Sequence, residues 1–174
     1  MNQDDNPPLC VDFVNTVEWR NDPAHREDKL NIFDDLVSWA QKHDLLSAST
    51  ARKVLHRGHE HSRVAVHVFD RALRLRDAIY QVLSATAAHR EAPVADLKFI
   101  SESAASFAER VTLQQVSTEF RWEWRGEGDA LDRLLWPVVQ STTALLTSDL
   151  LHRIRECEGP GCGWIILDTT KNRS

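Results

Sequence analysis

The segment 64-VAVHVFDRALRLRDAIYQVLSATAA-88 decides the fold of this chain. Its apolar residues recur with the period of an α-helix over several turns, while Arg71, Arg74 and Asp77 lie outside that stripe. The stripe consists of Ala65, Val68, Phe69, Ala72, Leu75, Ile79, Val82 and Leu83. We predict that this segment is the central helix of a bundle.

Helical patterns also flank the central segment. Residues 32–45 carry an apolar stripe, a serine-rich stretch can cap a helix over 49–61, and Pro93 opens a helix over 93–109. Near the N-terminus, 9-LCVDFVNTV-17 follows two prolines and places apolar residues at four-residue spacing, which favours a short helix, with a strand as the alternative. The polar residues 18–31 predict a loop.

Two short runs after the helices have the period of β-strands. They are 110-RVTLQQV-116 and 119-EFRWEWR-125, and in the second run aromatic and charged residues alternate. The sequence therefore predicts an antiparallel hairpin near 110–125 with an aromatic face, which serves either core packing or a partner surface. Apolar residues between 138 and 150 predict a last helix that leads to Cys157.

Composition limits the class of protein. The chain has 174 residues, of which 42% are hydrophobic, so a single domain with a real core is expected. The formal net charge is -5, so contact with nucleic acid would need a local basic patch. The N-terminal residues resemble no secretory signal, and no apolar run reaches the length of a membrane span. These features predict a cytoplasmic protein.

The last residues, 157-CEGPGCGWIILDTTKNRS-174, bring two cysteines together in a turn. Structural zinc takes four ligands in a tetrahedron, and Cys157 and Cys162 can offer two of them. The alternative is a loop with two free thiols. Cys10 lies among apolar residues, which favours a buried free cysteine.

The chain resembles the CGNR zinc-finger family, bacterial proteins with an N-terminal helical domain called ABATE that are described as stress-induced transcription regulators. The resemblance rests on residues 9–17, which are similar to the family's opening Leu-Cys-Leu-Asp-Phe-Val-Asn-Thr, and on 145-LLTSDLLHRIRECEGPGCGWIILDTTKNRS-174. The segments 34-DDLVSWAQKHDLL-46 and 73-LRLRDAIYQVL-83 are also similar to family segments, so the resemblance covers nearly the whole chain.

The resemblance implies a fold and a division into domains. The expected fold is mainly α, a helical bundle with a small antiparallel β-hairpin and a C-terminal partial treble-clef-like zinc knuckle. An ABATE-like helical domain would span 1–153, and the first half of the finger 154–174. In the family, a second Cys-x4-Cys follows a basic linker, and its last cysteine begins the Cys-Gly-Asn-Arg signature. The resemblance therefore implies that this chain is truncated before the second pair.

The resemblance also implies a function, transcription regulation, in which the helical domain senses or dimerises and the complete finger binds DNA. Zinc is expected in the complete finger, whereas two ligands alone rarely hold zinc tightly. Lys171 and Arg173 begin the basic stretch that would meet DNA phosphates, and the alternative for them is a solvated tail. Homodimers are common among such regulators, so a homodimer is expected.

Polar residues of the helical domain suggest a small-molecule effector site. Asp12, Asn15 and Thr16 lie among apolar residues, and Arg76 comes from the central helix, so together they could line a pocket. The alternative is that Asp12 or Asn15 caps a helix or pairs with Arg76. The second functional candidate is accordingly a small-molecule-binding or protein-interaction module with a structural finger remnant.

The sequence favours no catalytic function. No nucleophile stands in a known motif with its base, and no phosphate-binding or dinucleotide-binding glycine pattern is present. His56 and Glu60 stand one helical turn apart, but the arginines between and around them favour a solvated face over a metal site. We therefore predict a protein that is not an enzyme.

Overall fold

A computed structural model describes residues 7–125 and 130–168 of the chain. Within these ranges the protein is mainly helical, as predicted, with small antiparallel strand pairs. The helices are α1 (Leu9–Val14), α2 (Phe33–Lys42), α3 (Ala48–Glu60), α4 (Ser62–Ala87), α5 (Val94–Ala108) and α6 (Trp136–Leu146). The strands are β1 (Val17–Glu18), β2 (Glu27–Asp28), β3 (Val111–Val116), β4 (Glu119–Trp124), β5 (Ile154–Glu156) and β6 (Ile165–Leu167).

Helix α4 is the centre of the bundle, which confirms the prediction from its apolar stripe. Its buried face includes Leu75, Ile79 and Leu83, and α1, α2, α3 and α5 all pack against it. The helix also contacts β5 and β6. It therefore joins the other helices to the C-terminal strands.

Local signals set the ends of the shorter helices. The Ser47 hydroxyl accepts a hydrogen bond from the Thr50 N–H and so caps α3, as the serine-rich stretch predicts. Asp35 accepts from the backbone N–H groups of Asn31 and Ile32 at the start of α2. Residues 9–14 of the segment 9–17 form the short helix α1, which supports the helical alternative there, whereas Val17 at the end of the segment begins β1.

Three antiparallel strand pairs complete the fold. β3 and β4 form the predicted hairpin, with Leu113 opposite Trp122. β1 and β2 pair within residues that the sequence predicts to be a loop, so that prediction is wrong in part. The pairing is only two residues long on each strand and follows from tertiary contacts, which leave no periodic signal. β5 and β6 pair around the segment that contains both C-terminal cysteines.

The β5–β6 hairpin, which we call the cysteine hairpin, packs against the helices. Ile154 and Ile165 are fully buried and belong to the main hydrophobic core, and both strands contact α4. The division of the chain between 153 and 154 stays a prediction. In the two described ranges, no helix combines the length and the apolar composition that crossing a membrane requires.

Candidate functional site

A cavity of about 450 Å³ lies between the helices and the cysteine hairpin. Its walls come from α1, from the C-terminal end of α2, from Lys29 after β2 and from residues 164–167 in and before β6. We call it the α1/β6 cavity. Asp12, Asn15 and Thr16, which the sequence singles out for ligand binding, all line it. Their role in binding a ligand stays a prediction.

Asp12 gives the cavity a carboxylate that is partly withdrawn from water. Burial raises the pKa of Asp12 above its ordinary value, and the charges of His43 and Lys42 oppose that rise. The His43 Nδ1 lies 3.9 Å from the Asp12 carboxylate, and its ring packs on Trp39 with 4.7 Å between centroids. One end of the cavity thus combines a carboxylate, an imidazole, an ammonium and an aromatic wall.

Asn15 fixes the position of β6. Its side-chain N–H donates to the Ile165 carbonyl at 2.8 Å, and the Ile165 N–H donates to the Asn15 carbonyl oxygen at 2.9 Å. The amide therefore pairs with β6 as a neighbouring strand would, so it neither caps a helix nor pairs with Arg76. Both of its polar atoms have partners, so Asn15 shapes the cavity wall.

Arg76 lies behind the cavity wall, in contact with Thr16, and does not reach the cavity itself. It is buried beside α1, where its guanidinium donates to both carboxylate oxygens of Asp28 at 2.6 and 2.7 Å and to the Thr16 hydroxyl at 2.9 Å. The Thr16 hydroxyl donates in turn to the Phe13 carbonyl at 2.8 Å. Arg76 does not line the α1/β6 cavity, and its visible role is an internal ion pair with Asp28.

Trp164 forms the wall of the cavity on the side of the cysteines. Lys29 Nζ lies 5.9 Å from the centre of its ring and also forms an ion pair with Glu18. Trp164 is only two residues from Cys162, so this contact joins the cavity directly to the cysteine segment. Sequence reasoning did not assign Lys29, Lys42, His43 or Trp164 to the site. The quoted family segments contain Lys42, His43 and Trp164, but no local motif marks these residues as part of a cavity.

Cys157 and Cys162 face each other across a tight turn. The Cys157 N–H donates to the Trp164 carbonyl at 2.7 Å, and the Cys162 N–H donates to the Gly159 carbonyl at 3.1 Å. The Gly159 N–H points at the Cys157 sulfur, 3.5 Å away. The pKa of the Cys162 thiol is raised, first by partial removal from water and then by the Cys157 thiol. This arrangement offers two sulfurs to one acceptor.

The turn between the cysteines is held by the segment that follows β1. The N–H groups of Arg20 and Asn21 donate to the carbonyls of Cys162 and Gly161, both at 3.1 Å. Gly161 has a φ of 72°, and a Cβ there would lie 2.6 Å from the Cβ of Asp22. Because of this close contact with Asp22 and the positive φ, only glycine fits at position 161. The cysteine turn is therefore packed onto residues 20–22, the segment between β1 and β2.

Glu156 anchors the residue before Cys157 to the central helix. Its carboxylate accepts hydrogen bonds from the Ser84 hydroxyl at 2.7 Å and the Tyr80 hydroxyl at 3.2 Å, both on α4. Asn21 donates to the same carboxylate at 2.9 Å. The segment that carries the thiols is thus held by contacts from two separate parts of the chain, the residues after β1 and the central helix α4.

The described part of the chain contains no cluster of three or more histidine, cysteine or acidic side chains that could hold a metal ion. His56 and Glu60 lie 3.4 Å apart on an exposed face of α3, and His59 contacts Asp34 instead of joining them. Lys171 and Arg173, the predicted DNA-binding residues, lie outside the described residues.

The fold and the site together define a helical domain whose cavity is closed on one side by a cysteine hairpin. Residues 7–149 match the model of the ABATE family, which is described as "Putative stress-induced transcription regulator". The match spans most of the chain, so the protein belongs to the ABATE family. Searches of curated proteins and of solved structures found no match.

Proposed function

We propose that the protein is a transcription regulator that senses a small molecule in the α1/β6 cavity and contacts DNA through an element that includes the cysteine hairpin. The observation that carries this proposal is the double role of β6. Residues 164–167, which include β6, wall the cavity and begin two residues after Cys162. Membership of the ABATE family supports the regulatory role.

The walls of the cavity suggest the kind of molecule that it takes. Val11 and Trp39 offer apolar surface, while Asp12, Lys42 and His43 offer charge at one end. This combination suits a small organic molecule with an apolar body and a charged group. Because such a ligand would touch both the helices and β6, its binding free energy would depend on the position of the cysteine hairpin, and the dependence is reciprocal.

The cysteine pair suits half of a structural zinc site. Zinc would take the thiolates of Cys157 and Cys162, and the remaining ligands would come from outside the described residues. The metal would stiffen the hairpin and hold the basic residues Lys171 and Arg173 towards DNA phosphates. The proposal contains no catalytic step.

Cobalt(II) titration tests the metal site, because thiolate ligation gives cobalt a charge-transfer absorption. Because one chain offers only two sulfurs, we expect this absorption where a second cysteine pair, from a second chain or from a longer form of the protein, completes the site, and we expect its loss in C157S/C162S. The matched control is C10A, because Cys10 is buried in the core and should leave the spectrum unchanged. The number of cobalt ions per chain tells whether one chain or two supply the sulfurs.

DNA binding is measured on the same three proteins by fluorescence anisotropy of a labelled duplex at several salt concentrations with zinc present. We expect binding that weakens with salt and that requires Cys157 and Cys162. No thiolate absorption would overturn the zinc site. Metal binding without DNA binding would overturn the DNA-contact role and would favour the small-molecule or protein-interaction module.

A further inference from the structure

The β3–β4 hairpin exposes a row of apolar side chains on one face. Leu113 and Trp122 lie opposite each other and Phe120 is the next residue on that face of β4, with 54%, 48% and 65% of their surfaces exposed. The row is packed on one side: Trp124 contacts Phe107 and Arg110 at the base of the hairpin, and the Trp122 ring meets the Trp136 ring edge-on with 6.2 Å between centroids. An isolated two-stranded ribbon with such a face is marginal in water.

The outer edge of β4 offers free backbone groups on the same ribbon. The Arg125 N–H donates to the Arg110 carbonyl, so Arg110 and Arg125 form a hydrogen-bonded pair. Such pairs alternate with non-hydrogen-bonded pairs along an antiparallel ladder. The backbone groups of Arg121 and Glu123 therefore point towards β3, and those of Trp122 point outward. Among the residues that the structure describes, β4 pairs with β3 alone. An open edge of this kind is a template for another strand.

The charges on β4 are self-complementary. Glu119, Arg121, Glu123 and Arg125 alternate in sign on the face opposite the aromatic row. In an antiparallel pairing of two β4 strands centred on Trp122, Glu119 meets Arg125 of the other copy and Arg121 meets Glu123. Each of these contacts occurs twice by symmetry.

Neighbouring registers lack this match. Centring the pairing on Arg121 or on Glu123 places like charges directly opposite each other, which destabilises a strand pair. With Trp122 at the centre, the outward-pointing N–H and C=O groups of each β4 strand form hydrogen bonds with the other β4 strand. Arg121 and Glu123 then occupy the non-hydrogen-bonded positions, where the side chains of opposite residues approach most closely.

We propose that a second copy of this chain docks on β4, in an antiparallel pairing about Trp122 that makes one four-stranded sheet of two hairpins. β3 is the less suitable edge because α5 packs against it and because Thr112, Gln114 and Val116 carry no charge pattern. The proposal goes beyond the proposed function, since it requires neither metal nor DNA.

Complementary charge reversals test the register. R121E places Glu opposite Glu123 in both symmetric contacts, and E123R places Arg opposite Arg121. Each variant alone should weaken the dimer about tenfold or more. An equimolar mixture of the two should recover a heterodimer of wild-type affinity, because each new Glu then meets a new Arg. The swapped variant R121E/E123R should dimerise with itself like the wild type.

Sedimentation equilibrium over a range of concentrations gives the dimer dissociation constants, and native mass spectrometry of the mixture identifies the heterodimer. A chelator and a reducing agent are present throughout, so that zinc bridges and disulfides between Cys157 or Cys162 of two copies do not contribute. The control K98E changes an exposed charge on α5 and should leave the dissociation constant unchanged.

Three outcomes would overturn the proposal. They are a wild-type chain that stays monomeric, single variants that dimerise as tightly as the wild type, and a mixture that forms no heterodimer. None of these outcomes bears on cobalt or DNA binding, so this proposal and the proposed function fail separately.

Discussion

Arg76, which the sequence groups with the candidate ligand-binding residues, forms an internal ion pair with Asp28 in the fold. Burial of Asp28 works to raise the pKa of its carboxyl, but the hydrogen bonds from Arg76 and from the Leu30 N–H outweigh burial, so that the pKa is lowered. A lowered folded-state pKa stabilises the fold above the unfolded pKa, which is about 3.9 for aspartate. That stability is lost as the pH falls through the folded-state pKa.

We predict that D28N lowers the free energy of unfolding at neutral pH by about 2–4 kcal/mol, because it leaves the buried Arg76 guanidinium without its counter-ion. The difference from the wild type should begin to shrink below about pH 4, where Asp28 of the unfolded chain takes up a proton, and it should vanish as the pH falls through the lower folded-state pKa of Asp28. Urea unfolding at a series of pH values measures both effects.

The control for this prediction is D34N. Asp34 pairs with His59 on the surface, so its substitution should cost about 0.5 kcal/mol or less. A D28N protein with wild-type stability at pH 7 would show that the Arg76 ion pair contributes little.

At the scale of elements, the cysteine hairpin depends on one side chain of α1. Ile165 is fully buried, and both of its backbone groups bond to Asn15. N15A should leave these groups without partners and destabilise the docked hairpin by about 2 kcal/mol. We expect the amide of Cys157, which bonds to Trp164, to exchange its hydrogen about tenfold faster or more, with α5 unchanged.

N31A is the matched control for the hairpin experiment. Asn31 makes an exposed side-chain bond to the Asp28 carbonyl and does not touch the hairpin. Its substitution should leave the exchange rate of the Cys157 amide unchanged. Equal exchange rates at Cys157 in N15A and the wild type would contradict the role of Asn15.

The elements differ in how far the sequence predicts them. The apolar period identifies α4, and strict alternation identifies the β3–β4 hairpin, because both signals arise within one segment. The contact of Asn15 with Ile165 joins residues 150 positions apart, and no local pattern reports it. For the same reason the sequence suggests that Asp12 lies at a polar site but does not reveal that β6 forms the opposite wall.

At the scale of the whole molecule, α4 joins the helical bundle to the cysteine hairpin. Its Tyr80 and Ser84 bond to Glu156, and its apolar face lies in the same core as Ile154 and Ile165. A shared core predicts that the helices and the hairpin unfold together, because separate units would need separate cores. Residues 154–168 should therefore have no separate transition in urea, although local opening of the hairpin can still expose single amides to hydrogen exchange.

We predict that L83A, which empties space around a fully buried side chain of α4, lowers the free energy of unfolding by about 2–5 kcal/mol. Urea unfolding followed by tryptophan fluorescence and by pulsed hydrogen exchange at the Cys157 amide, which bonds to Trp164, should give the same midpoint by both probes, with both midpoints shifted equally in the variant. V94A, at an exposed position of α5, should shift neither midpoint by more than the equivalent of about 0.5 kcal/mol. If the exchange midpoint of the Cys157 amide in L83A stayed at the wild-type value while the fluorescence midpoint fell, the hairpin would be a separate folding unit, and a ligand in the α1/β6 cavity could not influence the cysteines through the shared core.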